Sequence, residues 1–344
     1  MKQATLRMML AISLLVLCGS NVLAADKPLK IYILAGQSNM VGAGAVNTFD
    51  YIGDDPETAP LLKQMRDADG DSYVGRRVWV SSFTGKMNQQ AHEHVGRLCV
   101  GLGNRKDHAQ LGECIGPEYS FGITMEQAYD GPILIIKTAW GGQSLHLHYR
   151  SPSAGPFEFT DNQKKMFALT NKDESKLAEQ KQQCGQNYRW MIDHVKNVLK
   201  DIKRVCPDYN EEAGHELAGF VWFQGWNDYC NGWRYPPTSG ENQYAEYSEL
   251  LPHFIRDVRK DLGAPKMPFV IGVAGQYGNF TPGTFSPRFD SEARMKALRL
   301  AMTAPAKLPE FKGNVIPVQT APFWDHKLAA LELKLSKVHR MRIA

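Results

Sequence analysis

The chain has 344 residues, 43% of them hydrophobic and 22% charged, with a formal net charge of +4. That balance suits a globular protein able to bury a sizeable core, and it excludes a disordered or collagen-like chain. Lysines and arginines are scattered among acids rather than gathered into a basic stripe, which argues against nucleic acid as a partner.

The N-terminus carries Lys2 and Arg7, then an apolar run from Met8 to Cys18, then small residues ending at Ala24. Charged, apolar and small-residue parts in this order form a secretory signal, with cleavage expected after Ala24 and export to the periplasm or the extracellular space. The apolar run is short of the ~20 residues that span a bilayer, so no transmembrane anchor is expected. Cys99, Cys114, Cys184, Cys206 and Cys230 follow. An exported chain can pair four of them, but spacing does not fix the connectivity, and without a Cys-x-x-Cys neither a thiol redox centre nor a zinc knuckle is expected.

Residues 30–35 form a short β-branched and apolar run that ends abruptly in Gly36-Gln37-Ser38-Asn39. Such a run reads as a strand buried on both faces, as in a parallel sheet. The polar residues after it then fall at the sheet's carboxyl edge, where open α/β sheets place their chemistry. Ser38 is a candidate nucleophile, although Gly-Gln-Ser-Asn by itself also suits a turn leading into a helix cap.

Further strands are predicted over 77–80, 132–138, 218–224, 268–274 and 314–320, with amphipathic helices over 188–205 and 241–262. The alternation argues for parallel strands covered by helices, in one three-layer α/β domain from residue 28 to 344. Stretches 47–75, 85–114 and 146–175 break the rhythm and read as long loops walling a cleft.

Two of the later strands also end in chemistry-bearing residues. The run over 133–140 leads into Gly141-Gly142, where a backbone N–H can approach a ligand without a Cβ in the way. The run over 220–224 leads into Gly225-Trp226-Asn227-Asp228, which brings the Asn227 amide to the same sheet edge. Acyl transfer needs donors of this kind aimed at a tetrahedral oxygen. His92 with His94, and His146 with His148, have the two-residue spacing of some metal ligands, but no carboxylate pattern accompanies them and no metal is expected.

Taken together, Gly36-Gln-Ser-Asn-Met40, Gly141-Gly142 and Gly225-Trp-Asn-Asp228 resemble the ordered blocks of the SGNH hydrolases, and within them the carbohydrate esterases similar to sialate O-acetylesterase. The resemblance implies a three-layer α/β/α sandwich of the flavodoxin-like kind and removal of acetyl groups from carbohydrate through an acyl-enzyme, with no cofactor. It implies Ser38 as the nucleophile, with an oxyanion hole made by the Ser38 N–H, the N–H of Gly141 or Gly142, and the Asn227 side chain. Gln37, Asn39, Gln224, Trp226, Asp228 and His146 are the expected substrate contacts.

The resemblance also implies a late Asp-x-x-His block carrying the catalytic base, and no segment of this chain matches it. Asp325 and His326 are adjacent. Neighbouring residues point opposite ways on a strand and diverge by about 100° on a helix, so Asp325 cannot orient His326 without a special turn. His326, with Asp325 beside it, is the residual candidate base, and the chain is expected to lack its last segment. The competing expectation is a non-catalytic carbohydrate-binding paralogue or a truncated, inactive esterase.

Overall fold

A computed structural model of the chain describes residues 27–86, 91–170, 174–279, 292–331 and 334. The expected signal segment lies outside the described residues. The core is a seven-stranded sheet built from β1 (Leu29–Gly36), β2 (Val78–Gly85), β3 (His92–Arg97), β4 (Ile133–Trp140), β5 (His215–Phe223), β6 (Phe269–Val273) and β7 (Val315–Gln319). Its order is β3-β2-β4-β1-β5-β6-β7, and every pairing is parallel except that of β2 with the edge strand β3.

The helices used below are α1 (Ser38–Val41), α2 (Pro117–Ala128), α3 (Gln186–Lys200), α4 (Trp226–Cys230), α5 (Ala245–Asp261) and α6 (Glu292–Thr303). Alternation along β1 divides the core between two layers. Ile31, Ile33 and Ala35 face α3, α5 and α6 through Val195, Phe254 and Leu298. Tyr32 and Leu34 face the opposite layer, where Tyr119 and Ile123 of α2 meet Met40 and Val41 of α1. Ile31 and Ile33 have no solvent exposure. Full burial of such a side chain is worth about 1.5–3 kcal/mol relative to leaving it in water.

The expected three-layer arrangement around a mostly parallel sheet is therefore what the chain adopts. The strand order departs from that of flavodoxin, which sets the first strand between the second and third parallel strands. Here β1 lies between β4 and β5, the third and fourth parallel strands in chain order. The chain runs to one side of β1 for β2 to β4 and to the other for β5 to β7. The topological switch point thus falls between β1 and β5, and at such a point the loops diverge and leave a crevice at the carboxyl edge.

Stretch 85–114, expected as a loop, holds β3, whose register runs from Thr84↔His92 to Trp79↔Arg97. Its polar and charged residues suit an edge that must not pair with another chain. Of the pairings nearest in sequence, neither Cys99 with Cys114 nor Cys184 with Cys206 forms a disulfide.

Candidate active site

Register alone brings the three motif segments together. Gly36, at the end of β1, pairs with Ala139 of β4 on one side and Phe223 of β5 on the other. Ser38, Gly142 and Asn227 therefore each lie two to four residues beyond one row across three adjacent strands, which are about 4.8 Å apart. Gly36 is required by this closeness, because a Cβ there would come within 2.2 Å of the Phe223 carbonyl oxygen.

After Gly36 the chain turns at Gln37, in extended backbone, and enters α1, one turn long with Ser38 first. Ser38 is exposed, whereas Gln37 is fully buried. Gln37 Oε1 accepts the backbone N–H of Asn227 at 2.8 Å, and Gln37 Nε2 donates to Ser38 Oγ at 3.4 Å. One side chain thus joins the serine turn to the loop after β5.

The two glycines after β4 separate clearly. The Gly141 N–H continues the sheet by donating to the Gly85 carbonyl at 3.3 Å. The Gly142 N–H has no partner among the described residues, nor has that of Ser38. Gly142 also has φ +76°, a left-handed conformation that favours glycine. The loop then passes Leu145 and His146, whose backbone N–H groups donate to Asp228 at 2.9 and 3.3 Å.

Asp228 has no solvent exposure, and its carboxylate is the hub of the buried layer beneath the site. It accepts from His146 Nδ1 at 2.8 Å, Gln224 Nε2 at 2.6 Å and the Tyr235 hydroxyl at 3.3 Å. Burial opposes its ionisation. The His146 contact, the Gln224 amide and the Leu145 N–H outweigh burial and hold the carboxyl below the usual carboxylate range. Gln224 Nε2 also donates to the Gln143 carbonyl at 3.0 Å.

Gln37, Gln224, Asp228 and His146 were expected to touch substrate. All four are buried and direct polar atoms at the protein itself, so they brace the loops from behind. Asn39 and Trp226 are half-buried at the surface. Asn227, also half-buried, borders a cavity of about 490 Å³ lined by Tyr229, Cys230, Asn231, Trp233 and Arg294. Cavities of that size hold small ligands.

Ser38 Oγ makes no hydrogen bond with a histidine among the described residues; its one partner there is the Gln37 side-chain amide. His146 Nε2 lies 3.4 Å from Asn231 Nδ2 and its ring packs against Phe157 and Tyr235. His326 lies in the segment after β7. A chain of rings, Trp226 to Tyr277 at 6.1 Å and Tyr277 to Trp324 at 6.0 Å, places that segment on the Asn227 side of the crevice. Asp325 does not orient His326: its Oδ1 accepts the Leu328 N–H at 2.8 Å, as a helix N-cap does. His326 Nδ1 is buried with no partner among the described residues.

An exposed serine, a glycine N–H without a partner among the described residues and an asparagine thus stand at the ends of three adjacent strands of a three-layer α/β fold. Residues 28–304 match the family described as SASA, carbohydrate esterase, sialic acid-specific acetylesterase, and the chain belongs to that family. His326 lies beyond the matched residues. The chain is similar at 15% identity to a solved Arabidopsis thaliana protein, covering 88% of this chain and 95% of that one with a TM-score of 0.43. It is similar to the same extent, 15%, to a carbohydrate acetylesterase from Xanthomonas citri, covering 84% of this chain and 49% of that one with a TM-score of 0.41. The chain thus spans about half the length of the second structure. No curated protein matches the chain. Among the described residues there is no group of three or more metal-ligating side chains, and no helix long and apolar enough to cross a membrane.

Proposed function

We propose that the chain is an exported esterase that removes acetyl groups from carbohydrate through a Ser38 acyl-enzyme. Ser38 Oγ attacks the acetyl carbonyl carbon, and its proton passes to a base, for which His326 is the candidate. The carbonyl π electrons move onto oxygen, where the N–H groups of Ser38 and Gly142 and the Asn227 side chain stabilise the charge. Collapse of the intermediate expels the sugar oxygen, which takes the proton, and water then releases acetate from Ser38. The observation that carries this reading is the pair of unpartnered N–H groups, at Ser38 and Gly142, on adjacent strand ends.

Acetate release from an acetylated xylan or a peracetylated sugar, compared between wild type and Ser38→Ala, tests it. Loss of about three orders of magnitude or more in kcat is expected. Equal rates in the two proteins would overturn the reading.

A second reading, a carbohydrate-binding protein without turnover, is favoured by one observation: no carboxylate among the described residues holds His326 Nδ1. Calorimetric binding of an acetylated oligosaccharide that survives Ser38→Ala, with no acetate released by either protein, would select it.

A further inference from the structure

Beneath the serine turn lies a buried charge that the acyl-transfer scheme does not use. Lys137 stands in β4, flanked by Ile135 and Ala139 on the same face, and neither it nor Glu118 of α2 has any solvent exposure. The ammonium makes three hydrogen bonds: to Glu118 Oε2 at 2.5 Å, to the Val41 carbonyl at 2.8 Å and to the Leu102 carbonyl at 3.0 Å. That satisfies all three of its donors. Glu118 Oε1 accepts the Gly116 N–H at 3.0 Å.

A buried ion pair is a weak source of stability, since the cost of taking two charges out of water offsets their attraction. An apolar side chain on β4 would pack this layer as well. What the ammonium does that a leucine cannot is hold Val41. That carbonyl ends α1, the turn whose first residue is Ser38. A helix of four residues does not persist by itself, and its last carbonyls lack partners within the helix. A cation at that end supplies one and complements the helix dipole.

The surroundings are shaped to the same contact. Asn104 N donates to the Gly42 carbonyl at 2.6 Å, so the loop that offers Leu102 is tied to the residue after Val41. A Cβ on Gly116 would fall 2.7 Å from the Val41 oxygen and 2.9 Å from Lys137 Nζ, and one on Gly42 would fall 2.0 Å from the Gly116 Cα. Three separate segments thus close on one ammonium with no room to spare.

We propose that Lys137, with Glu118 as its counter-ion, is a positioning residue for Ser38: its ammonium anchors the far end of the serine turn and so fixes the hydroxyl at the near end. The effect on turnover rests on the esterase reading above; the anchoring of the turn does not.

Two variants test it. Lys137→Met with Glu118→Met removes both charges at once, leaving neither unpaired, and Glu118→Gln keeps the shape while weakening the pair; whichever folds with a wild-type melting temperature is read. Amide hydrogen exchange is expected to rise at least tenfold in the peptide spanning 38–42 and to stay unchanged in the loops after β5 and β6. With acetylated sugar, kcat is expected to fall at least tenfold with KM within twofold, the pattern of a misplaced nucleophile rather than lost binding. Wild-type exchange at 38–42 in a folded variant overturns the proposal, as does exchange raised evenly through the α2 layer with kcat unchanged. Should wild type release no more acetate than Ser38→Ala, the esterase reading fails, and the exchange measurement alone decides whether Lys137 holds the turn.

Discussion

Asp228 receives His146 twice, from the ring Nδ1 at 2.8 Å and from the backbone N–H at 3.3 Å, with both residues buried. Because Asp228 follows Asn227 and His146 follows the Gly142 loop, this double contact fixes two of the three proposed oxyanion donors relative to each other. The pair resembles the acid and base of a triad, yet its imidazole lies behind the site and meets Asn231.

Asp228→Asn should therefore damage stability and turnover together. Leaving a buried donor without its acceptor costs about 1–3 kcal/mol, and the asparagine can no longer accept all the donors that converge there. A lowered melting temperature with kcat reduced more than tenfold is expected. An unchanged kcat in the folded variant would show that the two loops keep their places without the carboxylate.

The glycines after β4 offer a sharper contrast. Gly142→Ala forces a Cβ onto a residue with φ +76°, at a cost of about 1–2 kcal/mol, and displaces the N–H assigned to the oxyanion. A Cβ on Gly141 meets nothing within 4 Å. Urea unfolding and kcat should both fall for Gly142→Ala and stay near wild type for Gly141→Ala; the reverse order would reassign the donor.

Asn227→Ala leaves the backbone N–H on Gln37 Oε1, so the fold should survive. Loss of one oxyanion donor costs about 3 kcal/mol in the transition state, which corresponds to kcat lower by about 100-fold at constant KM. A rise in KM with kcat intact would make Asn227 a binding residue instead.

His326→Ala addresses the base directly. General base catalysis contributes about 10²–10⁴-fold, and His326 is only partly buried, so kcat should drop by at least 100-fold with little change in melting temperature. Wild-type turnover would remove His326 from the mechanism.

Acid should loosen the fold before it protonates the carboxylates. His148 and His194 are each pulled from 6.5 down to about 4, chiefly by burial. Folded, they stay neutral through that window, whereas the unfolded chain binds protons, so stability falls as pH drops from 6.5 towards 4 and is regained above it. Urea midpoints at pH 7, 5.5 and 4.5 should decline in that order, and His194→Gln should flatten the slope. A midpoint independent of pH over this range would contradict the burial argument.

The strands that position Ser38, Gly142 and Asn227 were legible because each is an uninterrupted apolar run punctuated by glycine, and the observed ends lie within a few residues of those read from the pattern. β3 was not, since His92-Glu93-His94 carries the polar residues of an edge rather than the alternation of a half-buried strand. α2 escaped for a related reason: it begins at Pro117 and contains Gly122, where a Cβ would stand 2.5 Å from Leu98 Cδ2. Periodicity finds residues that face a core, and it cannot see which buried polar atoms meet. Gln37 and Asn227 are 190 positions apart, and Lys137 sits in an apolar run whose counter-ion lies on a different element. Such partners emerge only from the strand order.

That order also sets a timetable. β1 has its neighbours in β4 and β5, so the serine turn, made among the earliest residues of the sheet, waits for Asn227 to be synthesised before Gln37 has its mate. At about 5–20 residues per second, a ribosome needs roughly 10–40 s to cover that gap. Throughout it, an apolar strand has no completed sheet to enter. A chaperone or an export factor that shields β1 during that interval would cover backbone edges that are still unpaired.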